Sequence, residues 1–377
     1  MKRQIRISLL VLTVFLGFAV QSYACTSIRI NTTDGLVFYA RTLEGETDYD
    51  SKTVAIVPKG TEYQGTLPDG SQKGMKWTVK YGFVGMSTLG LPLLIDGMNE
   101  KGLTAGNLFF PGFAGYQAFD PKLTSRTIAQ YEALTWILGN FATVDEVKKA
   151  IKTIRVCEGP QDQTGKLELH FTVHDRSGSS IVIEYVDGQL KVYDNPIGVM
   201  TNSPPFDWHL VNLRNHINIS ANNVKPVTID GLKGSGFGQG TGMLGLPGDY
   251  TPPSRFVRMV ALVTSSLPVT GPDAGLNLAM TIINNADIPL GVIRDLSGKE
   301  PRYDRTYWSV AADLKNNKYY FRTYNNKDWH FVDVTKALAK AKGMMSVKID
   351  VPPRYQDLTE TAETYKLPAG IMPAGKP

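Results

Sequence analysis

Two patterns of apolar residues alternate along the chain, and their order predicts the fold class. Short runs rich in β-branched and aromatic residues are typical of strands, whereas apolar residues three and four positions apart are typical of amphipathic helices. Strands are predicted at 26–31, 36–41, 53–57, 77–84, 91–110 (two strands around a turn at 99–102), 167–173, 180–185, 189–193, 306–313 and 318–323. Helices are predicted at 127–138, 143–154, 255–265 and 274–285. This order indicates an α+β fold in which helix pairs cover antiparallel sheets, rather than a doubly wound βαβ fold.

The first two predicted strands form a hairpin that brings charged residues to Cys25. Asp34-Gly35 between two β-prone runs is a strong signal for a two-residue turn. With that turn, Cys25 lies opposite Glu44, and Arg41 reaches the same end of the hairpin; a longer loop shifts the register by one or two residues. A guanidinium stabilises a nearby thiolate, and a carboxylate can hold an ammonium group. An ordinary cross-strand charge pair on a solvated face is an equally common alternative.

The first 24 residues have the pattern of a secretory signal. Lys2, Arg3 and Arg6 form a basic start, residues 7–20 are apolar but too few to cross a bilayer comfortably, and small residues precede position 25. Cleavage after Ala24 leaves 377 − 24 = 353 residues and lowers the formal net charge from +5 to 5 − 3 = +2. We therefore expect a periplasmic or secreted protein without a stable membrane anchor.

Cleavage at that position makes Cys25 the first residue of the mature chain. A thiol beside a free α-amine is a nucleophile with a base in the same residue. Two alternatives stay open: Cys25 carries a lipid, or it forms a disulfide with Cys157. Ser22 and Tyr23 differ from the residues that usually precede a lipidated cysteine. With 2 cysteines in the chain, a disulfide scaffold is excluded.

Five segments along the chain form a further pattern: 25–26 (CT), 41–44 (RTLE), 96–103 (DGMNEKGL), 198–204 (GVMTNSP) and 245–256 (GLPGDYTPPSRF). In order and approximate spacing they resemble the choloylglycine hydrolase and penicillin V acylase family of N-terminal nucleophile hydrolases. The resemblance implies a four-layer αββα sandwich, hydrolysis of a linear amide C–N bond and no cofactor. It extends to about residue 325, so we expect one amide hydrolase domain over 25–377, with a family core at 25–325 and a C-terminal extension at 326–377.

The resemblance also assigns roles to individual residues. Cys25 is the implied nucleophile, with its α-amine as the base, and Arg41 is the positive charge beside the sulfur. Asn202 is implied to donate a side-chain N–H to the oxyanion, and Arg255 to tie the site together through charge-assisted hydrogen bonds. The second implied oxyanion donor is the backbone N–H of Phe109.

Glu44 stands where the family usually has Asp, and we interpret it as the functional equivalent that holds the ammonium group. The aromatic residues near the implied site, Phe110, Phe113 and Tyr116, are expected together with Leu43 to line a pocket for an apolar acyl group. Packing in the core is an equally common alternative for these aromatic side chains.

Three other site classes are disfavoured. The glycine-rich segment 234–242 lacks the strand and the Lys-Ser/Thr ending of a phosphate loop; in the family it belongs to a loop used in subunit assembly, so we expect a homotetramer. The pairs His170/His174 and His209/His216 have no carboxylate or cysteine that completes a metal site. No basic cluster with interleaved aromatic residues indicates nucleic-acid binding.

The expected partner is a small-molecule amide with an apolar acyl group. Conjugated bile salts, phenoxyacetyl penicillin (penicillin V) and N-acyl homoserine lactones fit that description. Trp208-His209 and 237–240 (FGQG) resemble the penicillin V acylase side of the family slightly more. The rival class is a non-catalytic exported binding module with Cys25 lipidated or disulfide-bonded.

Overall fold

The computed structural model of the protein describes residues 24–45, 53–88, 93–160, 167–298 and 300–363. Residues 1–23 of the signal predicted at 1–24, the start of the strand predicted from residue 91 and the end of the extension at 364–377 lie outside these ranges. In chain order the strands are β1 Cys25–Asn31, β2 Val37–Gly45, β3 Thr53–Val57, β4 Glu62–Gln64, β5 Lys76–Thr78, β6 Phe83–Thr88, β7 Leu93–Asn99, β8 Thr104–Phe109, β9 Thr127–Ala129, β10 Arg155–Cys157, β11 Leu169–His174, β12 Ser180–Val186, β13 Gln189–Asp194, β14 Val227–Ile229, β15 Leu232–Gly234, β16 Arg294–Asp295, β17 Arg302–Tyr303, β18 Arg305–Asp313, β19 Lys318–Thr323, β20 His330–Asp333 and β21 Met345–Lys348. The α-helices are α1 Ala133–Asn140, α2 Val144–Ala150, α3 Phe206–Leu213, α4 Pro252–Ser265, α5 Pro272–Ile283 and α6 Val334–Lys340.

Two antiparallel sheets form the centre of the molecule. One has five strands in the order β1-β2-β18-β19-β20, and the other has eight in the order β13-β12-β11-β8-β7-β6-β3-β21. Helices α4 and α5 pack on the five-stranded sheet, while α1 and α2 pack on the outer face of the eight-stranded sheet. One hydrophobic core fills the space between the sheets and under α4 and α5, and a second lies under α1 and α2. These layers confirm the predicted αββα sandwich.

Strands β1 and β2 are covered on both faces, since one face meets helices and the other meets the second sheet. Every residue of β2 is buried, and in β1 only Asn31 at its end is exposed. A charged side chain on either strand is therefore removed from water and must find partners inside the protein. This arrangement provides the setting of the candidate site.

The register of the first hairpin differs from the two-residue turn that the sequence predicted. The backbone N–H of Thr32 donates to the carbonyl of Leu36 at 3.0 Å, so the loop has three residues, with Gly35 at a φ of 78°. A glycine in the left-handed region is typical of a three-residue hairpin loop. Consequently Cys25 pairs with Leu43 rather than with Glu44.

Tertiary contacts also change the predicted ends of several elements. The helix predicted from Thr127 begins at Ala133, because residues 127–129 pair in parallel with β10. The strand predicted at 77–84 is divided between β5 and β6, and helices α3 and α6 are additional to the predicted ones. Thr143 caps α2, as predicted, by accepting the backbone N–H of Glu146. Within the described ranges, no helix combines the length and hydropathy needed to cross a membrane.

Candidate active site

Cys25 and Arg41 meet on the buried face between the two sheets. Arg41 lies opposite Ser27 in the β1–β2 ladder, so the side chains of Cys25 and Arg41 share a face of the sheet. Arg41 Nη2 lies 3.4 Å from the sulfur of Cys25, and both residues are almost completely buried. Burial disfavours the guanidinium charge, but Cys25, Tyr39 and Asp96 outweigh that effect and raise the pKa of Arg41 above its ordinary value. The positive charge of Arg41 therefore lies directly against the sulfur of Cys25.

The guanidinium of Arg41 is held on several sides. Its Nη1 donates to the carbonyl of Ile95 at 2.6 Å, and its Nη2 donates to the carbonyl of Asn107 at 2.5 Å. The carboxylate of Asp96 lies 3.4 Å from Nη1, and the ring of Trp308 lies 5.4 Å from the guanidinium carbon. Burial raises the pKa of Asp96, while Arg41 and two tyrosine hydroxyls oppose that shift.

Asn202 and Arg255 contact the backbone of Cys25 from the other side. The α-nitrogen of Cys25 donates to Asn202 Oδ1 at 2.7 Å, and Arg255 Nη2 donates to the same oxygen at 2.8 Å. Arg255 Nη1 also donates to the Cys25 carbonyl at 2.5 Å and to the Thr26 hydroxyl at 2.6 Å. Burial lowers the pKa of Arg255 despite the attraction of Glu44.

The carboxylate of Glu44 lies on the opposite face of β2 from Arg41, as the observed register requires. The Thr306 hydroxyl donates to Glu44 Oε1 at 3.4 Å, while Glu44 Oε2 has no hydrogen-bond partner among the described residues. Burial raises the pKa of Glu44 to about 8, although Arg255 opposes the shift. In this structure Asn202 Oδ1, and not the Glu44 carboxylate, accepts the hydrogen bond from the α-nitrogen of Cys25.

Both cysteines are free and buried, so the structure has no Cys25–Cys157 disulfide. Cys157 lies in β10, and burial raises the pKa of its thiol. Among the residues that the structure describes, no group of three or more His, Cys, Asp and Glu side chains is placed to hold a metal ion.

The comparisons with known proteins agree with this geometry. A family model described as linear amide C–N hydrolases, choloylglycine hydrolase family, matches residues 25–345. The chain belongs to this family. Choloylglycine hydrolases act on linear amide C–N bonds, and this protein is a hydrolase of that type.

Individual relatives cover most of this hydrolase. The bile salt hydrolase/transferase of Clostridium perfringens is 34% identical over 315 residues, which cover 83% of this chain and 93% of that protein. A solved structure of a mutant conjugated bile acid hydrolase from Clostridium perfringens has a TM-score of 0.78 at 29% identity, covering 89% of this chain and 100% of that chain. The penicillin V acylase from Agrobacterium tumefaciens has a TM-score of 0.70 at 25% identity, covering 87% of this chain and 94% of that chain.

The structure brings most of the predicted site residues of the hydrolase to one place. Phe109 lies at the end of β8, and its carbonyl accepts the side-chain N–H of Asn202 at 2.8 Å. Leu43 is buried opposite Cys25. Asn202 therefore connects Cys25 with the end of β8.

Of the predicted pocket aromatics, two belong to the core. Phe110 is fully buried and stacks on His170 at 4.3 Å between ring centroids. The hydroxyl of Tyr116 lies within hydrogen-bond distance of the backbone of Leu169, which fixes the ring inside the second core. Phe113 is 40% exposed and stacks on Phe110, so it is the member of this cluster that can contact a ligand.

Sequence reasoning missed several residues around the site. Tyr39 and Tyr319 donate to Asp96, which stands in the recognised 96–103 segment but received no role. His209 lies 2.9 Å from the carbonyl of Asn202, and burial lowers the pKa of its imidazole to about 4. The sequence singles out His209 through the likeness of Trp208-His209 to penicillin V acylases and as a disfavoured metal ligand, and neither observation indicates its contact with Asn202.

Proposed function

We propose that the protein is exported, loses residues 1–24 and uses the freed Cys25 as an N-terminal nucleophile. Export to the periplasm or the medium follows from the signal-like first residues. The observation that carries the proposal is the environment of Cys25. Arg41 contacts its sulfur, and Asn202 Oδ1 accepts a hydrogen bond from its α-nitrogen. Cleavage after Ala24 converts that nitrogen from an amide, which is not basic, into an amine that can accept the thiol proton.

The proposed reaction proceeds through a thioester. The amine takes the thiol proton while the sulfur of Cys25 attacks the amide carbonyl, forming a C–S bond and a tetrahedral oxyanion. One side-chain N–H of Asn202 and the backbone N–H of Phe109 stabilise that oxyanion. The ammonium group then protonates the departing amine as the C–N bond breaks. Asn202 Oδ1, which accepts the hydrogen bond from the α-nitrogen, holds the ammonium group in place, because the Glu44 carboxylate lies on the other face of β2. Water hydrolyses the thioester and restores the thiol.

The proposed substrate is a small amide with an apolar acyl group, either a conjugated bile salt or penicillin V. Two relatives carry those activities in their names, a bile salt hydrolase/transferase and a penicillin V acylase. The exposed ring of Phe113 provides apolar contact surface for an acyl group, whereas Leu43 is buried in the core beside the nucleophile.

Mass spectrometry and N-terminal sequencing of the exported protein test the processing. A chain that begins with a free Cys25 supports the enzyme, whereas an acylated or blocked Cys25, or a Cys25–Cys157 bond in the native protein, supports a binding module. A hydrolysis panel of glycine- and taurine-conjugated bile salts, penicillin V and N-acyl homoserine lactones, scored by kcat/KM, then identifies the substrate. A correctly processed protein that hydrolyses none of these amides contradicts the proposal.

We also propose a homotetramer built from one amide hydrolase domain, with a family core at 25–325 and the C-terminal extension at 326–377. Support for assembly comes from the segment 217–244, in which large apolar side chains are exposed: Ile217, Val224, Val227, Ile229, Leu232, Phe237 and Leu244. Contiguous exposed apolar residues of this kind are typical of protein interfaces.

A further inference from the structure

A buried polar cluster lies behind the Arg41 guanidinium, on the side away from Cys25. The Asp96 carboxylate, in β7, accepts the hydroxyl of Tyr39 on Oδ2 and the hydroxyl of Tyr319 on Oδ1, each at 2.6 Å. Arg41 Nη1 lies 3.4 Å from Oδ2. Since Tyr39, Arg41 and Tyr319 belong to the five-stranded sheet and Asp96 to the eight-stranded sheet, the cluster joins the two sheets directly behind the sulfur.

A glycine in β8, Gly106, leaves the space that this cluster occupies. A side-chain carbon at Gly106 in β8 would lie 2.8 Å from the Tyr39 hydroxyl, 2.9 Å from Asp96 Oδ2 and 3.0 Å from Arg41 Nη1. Any residue other than glycine would therefore push the cluster apart. Burying a carboxylate costs several kcal/mol unless it is paired, and apolar residues of similar volume often stabilise a core equally well. A stabilising role alone therefore explains this cluster poorly.

We propose that Asp96, held by Tyr39 and Tyr319, is a positioning residue that aims Arg41 at the sulfur of Cys25. The guanidinium is a planar, rigid fork, so fixing Nη1 also fixes the direction of Nη2. Asp96 and the Ile95 carbonyl fix Nη1, and Nη2 then faces the Asn107 carbonyl and the sulfur. This inference rests on the proposed function, in which the Cys25 thiolate is the nucleophile.

The test is Asp96→Asn in the processed enzyme. Asparagine keeps the shape and one acceptor oxygen but can place an N–H group against Arg41 Nη1. We expect a 10- to 100-fold lower kcat, roughly the effect of a 1 Å misplacement, with little change in KM. The pH midpoint of Cys25 alkylation by iodoacetamide, followed on the Cys25 peptide by mass spectrometry, should rise by about one pH unit as Arg41 turns away.

Matched variants separate positioning from folding. Tyr319→Phe removes one donor but keeps the carboxylate, so it should shift the alkylation midpoint in the same direction by a smaller amount; it carries the test if Asp96→Asn does not fold. Asp175→Asn changes another buried aspartate, which accepts the Val144 N–H at the start of α2, and should leave the midpoint unchanged.

An unchanged or lowered midpoint in folded Asp96→Asn would overturn the inference, whatever happens to thermal stability. Alkylation requires no amide substrate. A wild-type protein that hydrolyses no amide therefore contradicts the proposed function, while the alkylation comparison still decides the role of Asp96.

Discussion

Two regions of this hydrolase reverse the usual distribution of polarity, and they differ in how the reversal is compensated. Around Cys25, Arg41, Asp96 and Arg255 are completely buried, whereas in the segment 217–244 Leu232 and Phe237 are exposed. Soluble proteins generally favour the opposite arrangement. The buried charges have partners within the chain, such as the Ile95 carbonyl for Arg41. The exposed apolar side chains have no comparable cover among the described residues, which agrees with the proposed assembly.

The buried charges around Cys25 have most of their partners within one chain, whereas the large apolar side chains of 217–244 are exposed in it. Buried charges that are hydrogen-bonded within the chain give a rigid site, because a change in one partner leaves another group unpaired at low dielectric. An exposed apolar surface carries no such internal constraint and tolerates substitution in the isolated chain. We therefore expect substitutions between the sheets to change chemistry, and substitutions in the segment 217–244 to change association.

The largest effect is expected for Cys25→Ala in the processed protein. Loss of the nucleophile should lower turnover at least about 1000-fold, as for other enzymes that lose a nucleophile. The fold should persist, because Cys25 is the first residue of the processed chain and replacing its sulfur leaves only a small cavity. Cys157→Ala, which changes the other buried cysteine, should keep turnover near that of the wild type. Equal losses in the two variants would contradict the nucleophile assignment.

The next largest effect is expected for Asn202→Ala. Removing an oxyanion donor typically lowers kcat about 100- to 1000-fold, and this change also leaves Arg255 Nη2 without an acceptor. Steady-state kinetics and circular dichroism report activity and folding separately. Asn195→Ala is the matched control, since Asn195 is equally buried but bonds only the backbone at Val199 and Gly198. A control variant that loses the same activity would indicate general disruption.

A change in assembly is expected from a charge placed on the apolar surface. If the proposed tetramer forms through this surface, Leu232→Lys should shift the protein toward smaller species in size-exclusion chromatography with light scattering, because a buried lysine in an interface is costly. Leu267→Lys is the matched control: Leu267 is 83% exposed and Leu232 is 76% exposed, but Leu267 lies outside the segment. Identical masses for both variants and the wild type would argue against an interface at 217–244.

The smallest effect concerns stability and pH. Burial lowers the pKa of His174 to about 3, so the folded protein keeps this imidazole neutral where the unfolded chain, with a pKa near 6.5, binds a proton. The free energy of unfolding should therefore fall as pH drops from 6.5 toward 3, by at most about 1.4 kcal/mol per pH unit from this residue. His174→Gln should flatten the dependence of the unfolding free energy on pH, measured by urea titrations. At pH 7.5 the imidazole is neutral in both states, so the difference in unfolding free energy between variant and wild type reports packing alone. An unchanged slope would contradict the assignment.

The sequence predicted the fold through the order of its motifs, and the same motifs contain the residues that the structure brings together around Cys25, because each motif lies within a few consecutive residues. It missed the features that depend on distant contacts. The hairpin register depended on whether Gly35 closes a two- or three-residue loop, and the pairing of 127–129 with β10 displaced a helix start. Asp96 received no role because its hydroxyl partners lie 57 and 223 residues away along the chain. No local sequence pattern indicates contacts between residues so far apart along the chain.

The bond between Ala24 and Cys25 has a consequence for how the proposed activity begins. Ala24 is buried, and its carbonyl accepts the Glu44 N–H at 2.8 Å. Asn202 Oδ1 already accepts a hydrogen bond from the nitrogen of Cys25 while that nitrogen is still part of an amide. If residues 1–24 are removed as proposed, the uncut chain resembles a zymogen whose site residues are assembled in advance. Under the proposed processing, latency depends on one covalent bond. Because Ala24 is buried in the fold, that bond has to be cut while this segment is still open, and the start of activity is then tied to export.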